Sequence, residues 1–191
     1  ETADAVTEAG SATMERRTSK SPRLKGFRFR VVPGDNAATR LAALDEVFYE
    51  EPVDGIVHVV SYGHATPRRA GGTSGAAPSR TRDEQLAAEL EDWTITAHRI
   101  AAMAVRRAKP MWVVIAVTKA DLYPNDIDAA VDYYSPGSGS PFAAKLDELR
   151  SLAGGATISI DVLPVSAENS KELDALVGKL ESRMAALSGH L

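Results

Sequence analysis

The run Val113 to Val117 is apolar throughout and ends in Thr118, Lys119, Ala120 and Asp121. A lysine and an aspartate two positions apart, fixed at a strand tip, can carry out specific recognition. The carboxylate can accept two N–H donors lying side by side, and guanine offers such a pair at N1 and its 2-amino group. Adenine offers no such pair, so the geometry discriminates between the bases. The lysine stem can lie over the plane of a base with its ammonium toward the ring edge. Taken alone, Lys and Asp after a strand are also ordinary turn residues.

What positions them is an alternating pattern of elements. Phe27, Phe29 and Val31 alternate with Arg28, Arg30 and Val32, which predicts a strand within Gly26 to Gly34. Leu41, Leu44, Val47 and Phe48 recur at helical spacing. Val53 to Gly63 is a short continuous apolar run and reads as a strand buried on both faces. A helix is predicted over 82–107, with Leu86, Leu90, Trp93, Ala97, Ile100 and Ala104 as its apolar stripe and Pro110 beyond its end. The strand ending in Thr118 follows. Then come a weak helical pattern at 126–134, an amphipathic helix at 142–154 closed by Gly154-Gly155, and a strand at 157–167. Leu173, Leu176, Val177, Leu180, Met184 and Leu187 stripe a terminal helix, with Asn169 or Ser170 as its cap.

Strands alternating with helices predict an α/β fold: a mostly parallel sheet between two helical layers. Right-handed crossovers put the C-terminal ends of parallel strands along one edge, where such sheets bind ligands. Gly34, Gly63, Asp121 and Ser166 each sit just past a strand end, so the fold makes them neighbours. Residues 1–22 are polar and small and read as a mobile, switch-like segment, leaving 23–191 as one domain. The Gly-, Pro-, Ser- and Thr-rich stretch 64–81, with Arg68, Arg69, Arg80 and Arg82 in or beside it, reads as a loop able to embrace a partner or a phosphate, or simply as solvated.

The bulk properties narrow the classes. A chain of 191 residues is enough for one globular core. Its net charge of -4 supplies no basic excess to displace counterions from nucleic acid. Cysteine is absent, which excludes disulfides and thiolate metal sites and fits a reducing, cytoplasmic setting. No run of about 18 apolar residues is present, so no membrane span is expected. The four histidines lack metal-ligand spacing, Trp93 and Trp112 fit core patterns, and Ser166 is not in a G-x-S-x-G elbow.

Thr118-Lys119-Ala120-Asp121 resembles the guanine-specificity motif [NT]-K-x-D of P-loop GTPases. Ser166-Ala167, closing the next predicted strand, resembles that family's second base-contacting element. The resemblance spans residues 10 to 187. It implies a three-layer Ras-like fold in which Thr118, Lys119, Asp121, Ser166 and Ala167 hold guanine, the amide of Ala167 reaching the base oxygen. It implies GTP and GDP as ligands, Mg²⁺ carried with the nucleotide, and a protein effector or regulator as partner. Gly34 occupies the glycine place of the family's D-x-x-G and implies contact with the terminal phosphate.

Other positions depart from the family. Val31 stands where the Mg²⁺-linked aspartate is expected and has no oxygen to offer. Asp35 follows Gly34 where many small GTPases carry a water-orienting glutamine. It could polarise water, or it could cap the next helix. Thr13 is the best-placed candidate for the switch threonine, with Thr7 and Thr18 as rivals. No G-x-x-x-x-G-K-[ST] loop occurs, and in the family that loop and its central strand precede everything seen here. Losing that strand would leave a gap in the sheet. Because the chain opens on Glu1, the expectation is that it begins after the loop; the rival is a degenerate relative. The resemblance therefore implies a guanine-nucleotide switch with slow or partner-assisted GTP hydrolysis. The alternative is a pseudo-GTPase, an interaction module that keeps only the fold.

Overall fold

The computed structural model describes residues 12–13, 28–32, 37–49, 53–64, 81–107, 109–154, 157–166 and 171–189. Among the described residues, five strands and five α-helices follow in chain order: β1 Ala12–Thr13, β2 Arg28–Phe29, α1 Ala37–Tyr49, β3 Gly55–Val60, α2 Arg82–Arg107, β4 Met111–Val117, α3 Ile127–Tyr134, α4 Pro141–Leu152, β5 Ile158–Pro164 and α5 Lys171–Leu187. A short 3-10 turn, Ala120–Leu122, lies between β4 and α3. Strands β3, β4 and β5 form a parallel sheet in that order, with β4 central. The chain is an α/β protein.

Every residue of β4 is buried. Met111, Val113, Ile115 and Val117 enter one core with residues from α1, α2, α3 and α4, including Phe48, Trp93, Tyr134 and Phe142. Trp112 and Val114 enter a second core against Met184, Leu180 and Leu187 of α5. Alternation along one strand thus feeds two layers, because successive side chains leave opposite faces of the sheet. Helix α2 begins with a capping box: the Glu84 amide donates to Thr81 Oγ1 at 3.3 Å, and the Thr81 amide donates to Glu84 Oε2 at 2.7 Å. Asp83 and Glu84 at its start and Arg106 and Arg107 at its end complement the helix dipole. Helix α4 starts on Ser140, whose hydroxyl accepts from the Ala143 amide at 2.9 Å, with Pro141 in the first turn.

Two expectations are corrected. The strand expected within Gly26 to Gly34 does not join the parallel sheet. Of its described residues 28–32, only Arg28–Phe29 are strand, and this β2 pairs antiparallel with β1, Ala12 opposite Phe29 and Thr13 opposite Arg28. This places Ala12–Thr13, inside the segment expected to be mobile, in a strand. Phe29 nonetheless packs toward the Trp112 core and Val32 toward the Trp93 core.

The second correction concerns β3, expected to be buried on both faces. Among the described residues it is an edge strand, and Val59 is 63% exposed. The Trp112 amide donates to Asp54 O at 3.3 Å and the Thr118 amide to Val60 O at 2.8 Å. Residues 54 to 60 with even numbers therefore turn their peptide groups toward β4. Gly55, Val57 and Val59 turn theirs away from β4.

Gly55 lies opposite Trp112 in the register. A Cβ built there would sit 1.9 Å from Trp112 Cε2, and the indole is held in place by its Nε1 donating to Ser188 Oγ at 3.1 Å. Gly55→Ala is therefore expected to destabilise the fold by about 1–3 kcal/mol through overpacking, read as a lower urea midpoint. Combining it with Trp112→Leu should recover part of the loss. A Gly55→Ala chain as stable as the parent would show that the indole yields freely.

Candidate functional site

The C-terminal ends of β3, β4 and β5 are tied together residue by residue. Thr118 donates twice to Val60 O, from its amide at 2.8 Å and from Oγ1 at 2.7 Å. The Val165 amide donates to Val117 O at 2.8 Å, and the Ala120 amide to Val165 O at 3.2 Å. Thr118 thus clamps β4 to β3, and Ala120 clamps the following turn to the end of β5.

This bracing brings Asp121 and Ser166 together, though they are distant in sequence. Ser166 Oγ donates to Asp121 Oδ1. Ser166 is 1% exposed, whereas Asp121 keeps partial exposure. Each carboxylate oxygen carries two acceptor positions, so a single bond from serine orients Asp121 and leaves capacity for further donors.

Lys119 adopts a left-handed backbone, φ 62°. For a side chain with a Cβ this costs about 1–2 kcal/mol. Its Nζ donates to His64 O at 2.5 Å, which ties the lysine to the turn leaving β3. The His64 ring stacks on Tyr123, centroids 5.0 Å apart, and Tyr123 Oη donates to Thr118 O at 2.6 Å. Burial, then the nearby charges of Glu89 and Asp121, push the Tyr123 hydroxyl up to about 12. Burial and Glu89 push Tyr134 up as well. Both phenols therefore remain protonated donors at neutral pH.

Of the residues proposed from the sequence, the structure brings together Thr118, Lys119, Asp121 and Ser166. The Thr118 hydroxyl is engaged by β3. Gly34, Asp35 and Ala167 lie outside the described residues, as do Thr7, Thr18, the caps Asn169 and Ser170, and most of the arginine-bearing loop. Thr13 lies on β1, in the ladder separate from the parallel sheet. Arg82 opens α2, its guanidinium 4.1 Å from the centre of the Tyr62 ring.

Glu89 was not anticipated. Its Oε1 accepts from the Ser61 amide and hydroxyl, each at 3.0 Å, and from the Gly63 amide at 3.4 Å. Its Oε2 accepts from Tyr134 Oη. The signal was present: Glu89 stands three after Leu86 and four before Trp93, on the apolar stripe of α2, where a carboxylate needs partners.

Among the described residues, no helix is long and apolar enough to cross a membrane. The chain matches no family model, no curated protein and no solved structure.

Proposed function

We propose that this chain binds a guanine nucleotide at the C-terminal edge of its sheet and works as a switch of the P-loop GTPase class. Hydrolysis of GTP is slow or completed by a partner protein. The observation that carries the reading is the Asp121 carboxylate, oriented by buried Ser166 and two residues from a lysine held in a left-handed turn. A carboxylate braced in this way, with acceptor capacity left over, matches the adjacent N–H donors of guanine. The sequence motifs on Lys119, Asp121, Ser166 and Ala167 point the same way. In this reading Gly34 meets the terminal phosphate and Asp35 stands near the attacking water.

The residues described do not fit a protein-held Mg²⁺. Val31 stands at the aspartate place and carries no donor. Among the described residues, no three acidic or histidine side chains converge. Val31 is also 67% exposed, so core packing does not explain the apolar choice. That observation favours a second reading, an interaction module that retains the fold.

Titration of the full-length protein with fluorescent GTP separates the two. Bound probe should be displaced by GTP and GDP, and ATP should need about 100-fold more for the same displacement. Equal displacement by ATP, or no binding of the probe, would remove the nucleotide reading and leave the interaction module.

A further inference from the structure

We infer that Glu89 is a positioning residue for Lys119, acting through the turn Ser61–His64. The inference rests on the reading that Lys119 meets the nucleotide. The turn closes with the His64 amide donating to Ser61 O at 2.9 Å. Both of its central residues have positive φ, Tyr62 at 51° and Gly63 at 74°. Turns of this kind favour Asn or Gly at the first central place, and a tyrosine there is strained. Gly63 has little room for a side chain either, since a Cβ would lie 2.6 Å from Arg82 Cγ.

Strain of this kind persists only where the surroundings impose it. Here Glu89 imposes it from α2. One carboxylate oxygen takes the Ser61 amide, the Ser61 hydroxyl and the Gly63 amide, and the other takes Tyr134 Oη. Arg82 adds its guanidinium over the Tyr62 ring and an Nε bond to Tyr62 O at 3.4 Å. The turn so held presents His64 O, and that oxygen receives Lys119 Nζ at 2.5 Å.

Tyr62 and Lys119 are the two non-glycine residues of positive φ among the described residues. The bond from Lys119 to His64 O couples their two turns. A carboxylate that only filled a polar gap under α2 would have no reason to grip two amides of a strained turn. Glu89 therefore fixes the carbonyl that sets where the lysine ammonium rests, and it does so without touching a ligand.

The test is a double-mutant cycle in the full-length protein, read by fluorescent GDP affinity. Glu89→Ala should weaken binding by about tenfold, and Glu89→Gln, which keeps an acceptor oxygen for Ser61 and Gly63, should restore most of it. In a Lys119→Ala background the further change of Glu89→Ala should have no effect, because the lysine it positions is gone. Should Glu89→Ala fail to fold, Glu89→Asp keeps the charge, draws the acceptor back by one methylene and enters the same cycle. Losses that multiply in the double variant, or Glu89 variants that bind like the parent while Asp121→Ala does not, would overturn the positioning role alone. An Asp121→Ala chain with unchanged affinity would overturn the nucleotide reading, and this inference with it.

Discussion

Asp121→Asn should reverse the base preference, lowering affinity for GTP by about 100-fold and conferring binding of xanthosine triphosphate. The carboxylate presents acceptors only. The amide presents one acceptor and one NH₂ donor. Facing guanine, that donor meets the 2-amino group, and two donors cannot pair. Xanthine carries a carbonyl at the same place, so the pairing is restored. The Ser166 hydroxyl still finds an oxygen on asparagine, so the bond that orients position 121 survives in kind. An unchanged melting temperature would verify that the fold is intact. Competition of fluorescent GTP by GTP and by the xanthine nucleotide reads the outcome directly. If both nucleotides compete as they do in the parent, the Asp121 side chain does not read the base.

The largest effect on stability is expected at Trp93. Trp93→Ala should cost about 3–5 kcal/mol in urea unfolding. The residue is 0% exposed at the centre of the main core. Its ring stands edge-on to His58 at 4.9 Å and tilted against Phe142 at 5.5 Å. It joins β3, α2 and α4, so truncation opens a void shared by three elements. Trp93→Phe should behave quite differently. Among the described residues, Trp93 Nε1 is buried and meets no hydrogen-bond partner. Phenylalanine removes that stranded donor, whose burial costs about 1–3 kcal/mol, and this offsets much of the lost ring volume. Phe destabilising as much as Ala would show that the indole N–H is satisfied.

These expectations show how far local pattern carries. The C-terminal end of α2 was legible because Pro110 stops continuation, while the reciprocal cap of Thr81 and Glu84 that fixes its start was seen only in the structure. The stripe from Trp93 to Ala104 was legible because burial recurs at helical spacing. Strand β4 was legible because a central strand is apolar on both faces, and its full burial follows. The meeting of Asp121 with Ser166 followed from topology, since parallel strands end at one edge.

Pairing partners are a different matter. Nothing in "FRFRVV" distinguishes a strand of the parallel sheet from one laddered antiparallel to Ala12–Thr13. Nor does "GIVHVV" announce an edge position, because apolar residues suit an edge and a centre alike until a neighbour is known. Glu89 escaped notice for a related reason. Charged residues on a helix are ordinarily solvated, and its four acceptor contacts come from Ser61, Gly63 and Tyr134, far away in sequence. Left-handed Tyr62 was invisible because tyrosine gives no warning of positive φ.

Among the described residues, strand β3 ends the sheet, with Gly55, Val57 and Val59 directing their amides away from β4 and with Val59 exposed. Within Gly55–Val60 that border carries no proline and no lysine, the residues that usually blunt a strand edge. If that border is open in the whole protein, a charged gatekeeper such as Val59→Lys should leave the fold intact and suppress any growth by strand addition, read as light scattering at high concentration.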